Sequence, residues 1–167
     1  MPPPSEAHAR IGLVAFIAES GASFRVFGDF PDPAVITDRL GIEPTKSQPR
    51  GSRNRQGHLY TESGWWLQSP LPRDTRIEDH LRWLLDRLVP VSGGIRELAR
   101  EGWKIDIFCG LHLKYGDEGF ELDQMVIEHL GTIGISKIGF DIFSSRSRAD
   151  DDEDPSGLRK DRFPDIE

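Results

Sequence analysis

Trp103-Lys104-Ile105-Asp106-Ile107-Phe108-Cys109-Gly110-Leu111-His112-Leu113-Lys114-Tyr115 alternates with a period of two. Trp103, Ile105, Ile107, Cys109, Leu111, Leu113 and Tyr115 share one parity, and Lys104, Asp106, Phe108, Gly110, His112 and Lys114 share the other. Successive side chains of a strand point to opposite faces, so the pattern predicts a long strand with one face in a core. Gly110 marks a candidate bulge.

Upstream, the period changes to that of a helix. Ile77, Leu81, Leu84, Leu85 and Leu88 form one apolar stripe, and Thr75-Arg76-Ile77-Glu78 fits a capping box. Pro90 ends that helix. A shorter one restarts after Ser92-Gly93-Gly94, with Ile95, Leu98 and Ala99 inward and Gly102 closing it. Downstream, Gly116-Asp117-Glu118-Gly119 reads as a turn, and a helix from Asp123 presents Leu122, Met125, Val126, Leu130 and Ile133. A last strand, Lys137 to Phe143, alternates Ile138, Phe140 and Ile142.

The first half reads as two hairpins around a short helix. Ile11–Ala18 and Ala22–Asp29 flank Glu19-Ser20-Gly21, and Leu59–Glu62 and Trp65–Ser69 flank Ser63-Gly64. Between them, Asp32 can cap a helix, Pro33 suits its first turn and Gly41 its end, with Val35, Ile36 and Leu40 inward. The predicted order is ββαββααβαβ. It implies an α+β fold, a mostly antiparallel sheet with helices on one face, ferredoxin-like with a split βαβ unit in its second half.

With 167 residues the chain suits one domain. Leu, Ile, Val and Phe account for 44 of them, enough for a core. The 29 Gly and Pro residues favour short elements over a long helical bundle. Met1-Pro2-Pro3-Pro4 opens a loose terminus over residues 1–9, the domain spans 10–146, and 147–167 reads as a disordered acidic tail. Of the net charge of −7, the tail from Asp150 carries −5. Such a tail solubilises; engaging a basic partner, or folding back on the basic loop, are its other readings. The run Ile11–Ala18 after Arg10 has the look of a leader, but Glu6 and the missing cleavage motif favour a buried strand and a cytoplasmic protein. No apolar run is long enough for a membrane span.

Catalytic patterns are absent. Cys109 sits mid-strand among apolar neighbours, which makes a thiol inert. The five histidines are scattered without metal-ligand spacing, and neither a Walker motif nor a dinucleotide fingerprint occurs. The expectation is therefore no catalytic residue, no metal and no cofactor. Asp141, near a strand end, has Arg25 as a candidate ion-pair partner. Candidate binding residues are the basic loop Lys46, Arg50, Arg53 and Arg55, the pair Trp65 and Trp66, one of which must face away from the core, and Arg82 with Trp83 on the long helix.

Asp32-Pro33, Ile36 to Thr45, Gly64-Trp65-Trp66-Leu67-Gln68-Ser69, Ile77-Glu78-Asp79-His80-Leu81 and Gly139-Phe140-Asp141-Ile142-Phe143 together resemble the landmarks of the bacterial domain-of-unknown-function family 4279, over about residues 22–145. The chain departs from that pattern at Asp141-Ile142-Phe143, where the family pattern is Asp-x-Tyr, and at Gln56-Gly57, where Lys-Gly-Glu is frequent. The resemblance implies a small α+β domain without assigned chemistry, some relatives belonging with toxin–immunity neighbourhoods. The functional expectation is a non-enzymatic protein-binding domain, in one form an immunity-type inhibitor that masks a toxin. The alternative is a small-molecule or nucleotide binder using loop 46–55 and the nearby Trp. Nucleic acid is not an expected partner, because a basic face across the domain is missing.

Overall fold

The long strand is present as β4 (Lys104–Leu113) in the computed structural model, which describes residues 17–113 and 119–144. Its partner is β1 (Ile17–Gly28), a strand of 12 residues that pairs antiparallel with it and, along its other edge, with β3 (Ser63–Gln68). A short strand β2 (Lys46–Gln48) extends the sheet beyond β3, and β5 (Lys137–Ser144) pairs parallel with β4. The order is β2-β3-β1-β4-β5, with β5 the one parallel addition to an otherwise antiparallel sheet.

The helices are α1 (Ala34–Leu40), α2 (Ile77–Leu88), α3 (Ser92–Arg100) and α4 (Gln124–Ile133); a single 3-10 turn, Val89–Val91, carries Pro90 between α2 and α3. In α1, Asp32 Oδ1 accepts the Ala34 N–H at 2.8 Å, and Gly41, at φ +63°, ends the helix by donating to the Thr37 carbonyl. Only a residue without Cβ adopts that left-handed geometry at little cost. Helix α4 starts where Asp123 Oδ1 accepts the Val126 N–H at 2.9 Å.

One core lies between the helices and one face of the sheet. Phe24, Val26, Trp65, Leu67, Ile105, Ile107, Cys109 and Leu111 meet Ile77, Leu81, Leu84, Leu85 and Leu88 of α2, with Ile36, Ile95, Leu98, Val126 and Ile133 from the other helices. The periodicity of α2 and β4 therefore holds. The fold is α+β, mostly antiparallel, with its helices against one face.

Several local expectations are corrected. No hairpin forms at Glu19-Ser20-Gly21; β1 runs straight through it, since β4 is long enough to pair along its length and Gly21 has no positive φ. Ser63-Gly64 lies inside β3, and residues 59–62 form no strand; the outer partner of β3 is β2, drawn from the basic loop. Gly64 is needed in mid-strand because the Trp66 ring lies across it where a Cβ would stand. The observed order is thus βαββααβαβ, and the strands of the βαβ unit β4-α4-β5 are direct neighbours rather than split. The capping box does not close: Glu78 turns inward to accept from the Glu121 N–H and Arg76, while the Thr75 carbonyl accepts from Ser20 Oγ at 2.5 Å. Val35, Met125 and Ile142 are exposed rather than inward, as is Ala99, because each helix or edge strand buries a narrower stripe than its apolar residues span. The expected strand at 11–16, the loose terminus 1–9, the turn at 116–118 and the acidic tail 147–167 lie outside the described residues. Among the described residues no helix is long and apolar enough to cross a membrane.

Candidate functional site

With helices against one face, the alternate residues of the same strands are left on the other. Their register arranges them in rows. Lys46, Trp66, Arg25, Asp106 and Lys137 form the first, Gln68, Ser23, Phe108 and Gly139 the second, Gly21, Gly110 and Asp141 the third, and Glu19, His112 and Phe143 the fourth.

The first row interleaves cations and rings. Arg25 donates through Nε and Nη2 to the two oxygens of Asp106 at 2.7 and 2.8 Å, a bidentate pair, and Lys137 Nζ stands 3.7 Å from the same carboxylate. The Arg25 guanidinium also lies 4.5 Å from the Phe108 ring centroid and 5.5 Å from that of Phe27. Trp66 carries Lys46 over its ring at 5.1 Å and meets Phe27 edge to face at 5.2 Å. Such contacts suit groups that stay half in water. The third row is nearly bare, and a Cβ added at Gly21 would meet nothing within 4 Å.

The result is a cleft of about 830 Å³ that opens on this face and reaches the connection from β3 to α2. Trp66, Phe108 and Phe143 supply rings, Arg25, Glu19 and Asp141 charge, and Ser69, His80 and Trp83 close the far end. There His80 Nδ1 is 2.9 Å from Ser69 Oγ, while Nε2 has no hydrogen-bond partner. Burial holds the His80 imidazole below its ordinary pKa, against smaller opposing effects of the Pro72 carbonyl and Asp79. The ring in this position ties Ser69, just past the end of β3, to α2. Ser69 Oγ in turn takes the Leu71 N–H at 3.4 Å, so its hydroxyl is part of the same clasp.

The structure scatters the eight candidate residues. Trp65 is fully buried, its Nε1–H donating to Thr37 Oγ1 at 3.0 Å, and belongs to the core, not to a binding surface. Trp66 and Trp83 line the cleft, and Lys46 stands on Trp66. Arg50 pairs with Asp29, Arg53 donates to the Gly57 carbonyl at 2.6 Å, and Arg55 is exposed. Arg82 is held by Asp79 and Asp123. None of these four arginines lines the cleft. The expected Arg25–Asp141 pair is also corrected: Arg25 meets Asp106, directly opposite it on β4.

Phe108, Ser69 and His80 are cleft residues outside the expected set, and Asp141, expected only as an ion-pair partner of Arg25, lines the cleft as well. The signal for the first was the polar parity of the long strand, which carried an aromatic residue where a wholly solvated face would have none. Cys109 is buried, which pushes its thiol up to about 12, so it is not a thiolate at neutral pH. Among the described residues no three His, Cys, Asp or Glu side chains converge as a metal-binding group.

The fold is a helix-backed, mostly antiparallel sheet with an aromatic-lined cleft on its other face. The family model described as "Domain of unknown function (DUF4279)" matches residues 18–144, and the chain belongs to that family. No curated protein and no solved structure matches the chain.

Proposed function

We propose that this protein is a non-enzymatic binding domain that grips another protein through the open face of its sheet. The observation that carries this reading is the cleft itself: a face against which no described helix packs, lined by Trp66, Phe108 and Phe143 beside Arg25 and Asp141. Tryptophan and arginine anchors in a concave patch are what tight interfaces use. Masking of a toxin is one form of such contact, and its support is the family resemblance alone. A nucleotide site on loop 46–55 has less behind it, since Arg50 and Arg53 already hold partners within the chain.

The test is affinity capture from the native cell with the full chain. A stoichiometric partner is expected with the wild type and with Arg53→Ala/Arg55→Ala, and is expected to be lost with Trp66→Ala/Phe108→Ala. Capture that survives the cleft variant overturns the reading.

A further inference from the structure

Among the described residues, Asp141 is the one carboxylate lining the cleft for which no hydrogen bond or ion pair is seen. Glu19 is answered by Arg73 at 3.3 Å, and Asp106, one step outside the cleft, by Arg25 and Lys137. Asp141 is nevertheless half-buried on the sheet. A half-buried carboxylate on a concave face is placed to take a group of opposite sign by a charge-assisted hydrogen bond.

The approach to Asp141 is shaped. Gly21 and Gly110 precede it in the same row, so a trough of bare backbone crosses β1 and β4 and ends at the carboxylate. Two strand spacings make that trough about 10 Å long, room for the four-carbon stem of a lysine or its arginine counterpart. Phe108 flanks it from the second row and Phe143 from the fourth. The same face already holds such a group: Arg25 sits between Asp106 and the Phe108 ring.

We infer that the cleft receives a lysine or arginine side chain of the protein partner, its stem along the Gly21–Gly110 trough and its charged head on Asp141. This rests on the reading of the open face as a protein-binding surface, and adds the chemistry of the residue that fills it.

The test uses the full chain, labelled with nitrogen-15, and the amide signals of Gly21, Gly110 and Asp141. The probes are a pentapeptide with a central arginine between alanines, the same peptide with neutral citrulline, and agmatine, which carries the guanidinium without a peptide. The arginine peptide is expected to shift these amides saturably, and the citrulline peptide to bind about tenfold or more weakly, the usual scale for a charge-assisted hydrogen bond. Asp141→Asn is expected to remove that preference; Asp141→Lys, which places a cation in the cleft from within, is expected to remove the response. Spectra otherwise like the wild type show that both variants fold.

Equal binding of the arginine and citrulline peptides overturns the inference, and so does silence of all three amides at millimolar peptide. Equal binding of agmatine overturns the assignment to a polypeptide. Each of these outcomes leaves the broader reading to its own test, because capture of the partner by wild type and its loss in Trp66→Ala/Phe108→Ala do not depend on Asp141.

Discussion

Trp65 and Trp66 are joined by one peptide bond and live on opposite faces of the sheet. Trp65 is fully buried, edge-on to Phe24 at 6.1 Å, with its indole N–H donated to Thr37. Trp66 is half-exposed, edge-on to Phe27 with Lys46 above it. The residue type is the same, so the difference is made by what lies opposite: among the described residues, four helices pack against one face and none against the other. The covered face is filled by side chains packed into the core. The open face carries rings, cations and carboxylates. On the proposed reading, stability and contact are divided between alternate residues of the same strands.

If that division holds, substitutions one residue apart must act on different properties. The largest effect is expected from Trp65→Ala. It empties a site in the centre of the core and leaves Thr37 without its donor, so unfolding free energy should fall by about 3–5 kcal/mol. Urea titration followed by circular dichroism measures it. A loss below about 1 kcal/mol would mean that the covered face is not the seat of stability.

The Arg25–Asp106 pair lies between these extremes, on the open face yet with Asp106 only 9% exposed. Arg25→Leu leaves that carboxylate with Lys137 alone, and should cost roughly 1–3 kcal/mol. Arg25→Leu/Asp106→Leu should recover most of the loss, because both charges then leave together. A double-mutant cycle in urea reads the coupling. Strict additivity would show that the two groups do not act as a pair.

His80 sharpens the comparison through pH. Its folded pKa lies below the ordinary value of 6.5 because the ring is buried. Below that value the unfolded chain binds the extra proton, so the contribution of neutral His80 is complete above about pH 6.5 and is lost as pH falls beneath it. One group supplies a slope of at most about 1.4 kcal/mol per pH unit. His80→Asn keeps a polar partner for Ser69 and should flatten the stability profile between about pH 7 and pH 5 relative to the wild type. Parallel profiles would place the acid sensitivity elsewhere.

How much of this division the bare sequence disclosed depended on range. The stripe of α2 and the alternation of β4 are local patterns of repeating period, and both sides of β4 were read in their proper faces. That one of the two tryptophans must turn outward followed from parity alone. What escaped was set by partners distant in the chain. Whether Glu19-Ser20-Gly21 turns or continues depends on β4, some ninety residues away, which supplies the hydrogen bonds that keep it straight. Glu78 abandoned its cap for the Glu121 N–H, and Arg25 chose Asp106 over Asp141 through strand register. The cleft escaped for the same reason: its rows draw one residue from each strand, and a row has no signature along the chain. The basic loop was conspicuous as composition, yet Arg50 and Arg53 spend their charge on acceptors within the chain.

The smallest stability effect is expected at Trp66. Trp66→Ala gives up one edge-to-face contact and part of a half-exposed surface, about 0.5–1.5 kcal/mol, well short of its neighbour. In the same variant the cleft loses the ring that stands beside Arg25 and carries Lys46, and capture of the partner should weaken by tenfold or more, a loss typical of a tryptophan anchor. The informative quantity is the ratio of the two effects. Trp65→Ala, measured at a temperature where it remains folded, should retain most of its partner affinity while losing most of its stability. Trp66→Ala should do the reverse. Should both variants lose binding only in proportion to stability, the open face would be an incidental by-product of packing helices on the other, and the partner would have to be sought on the helical side of the molecule.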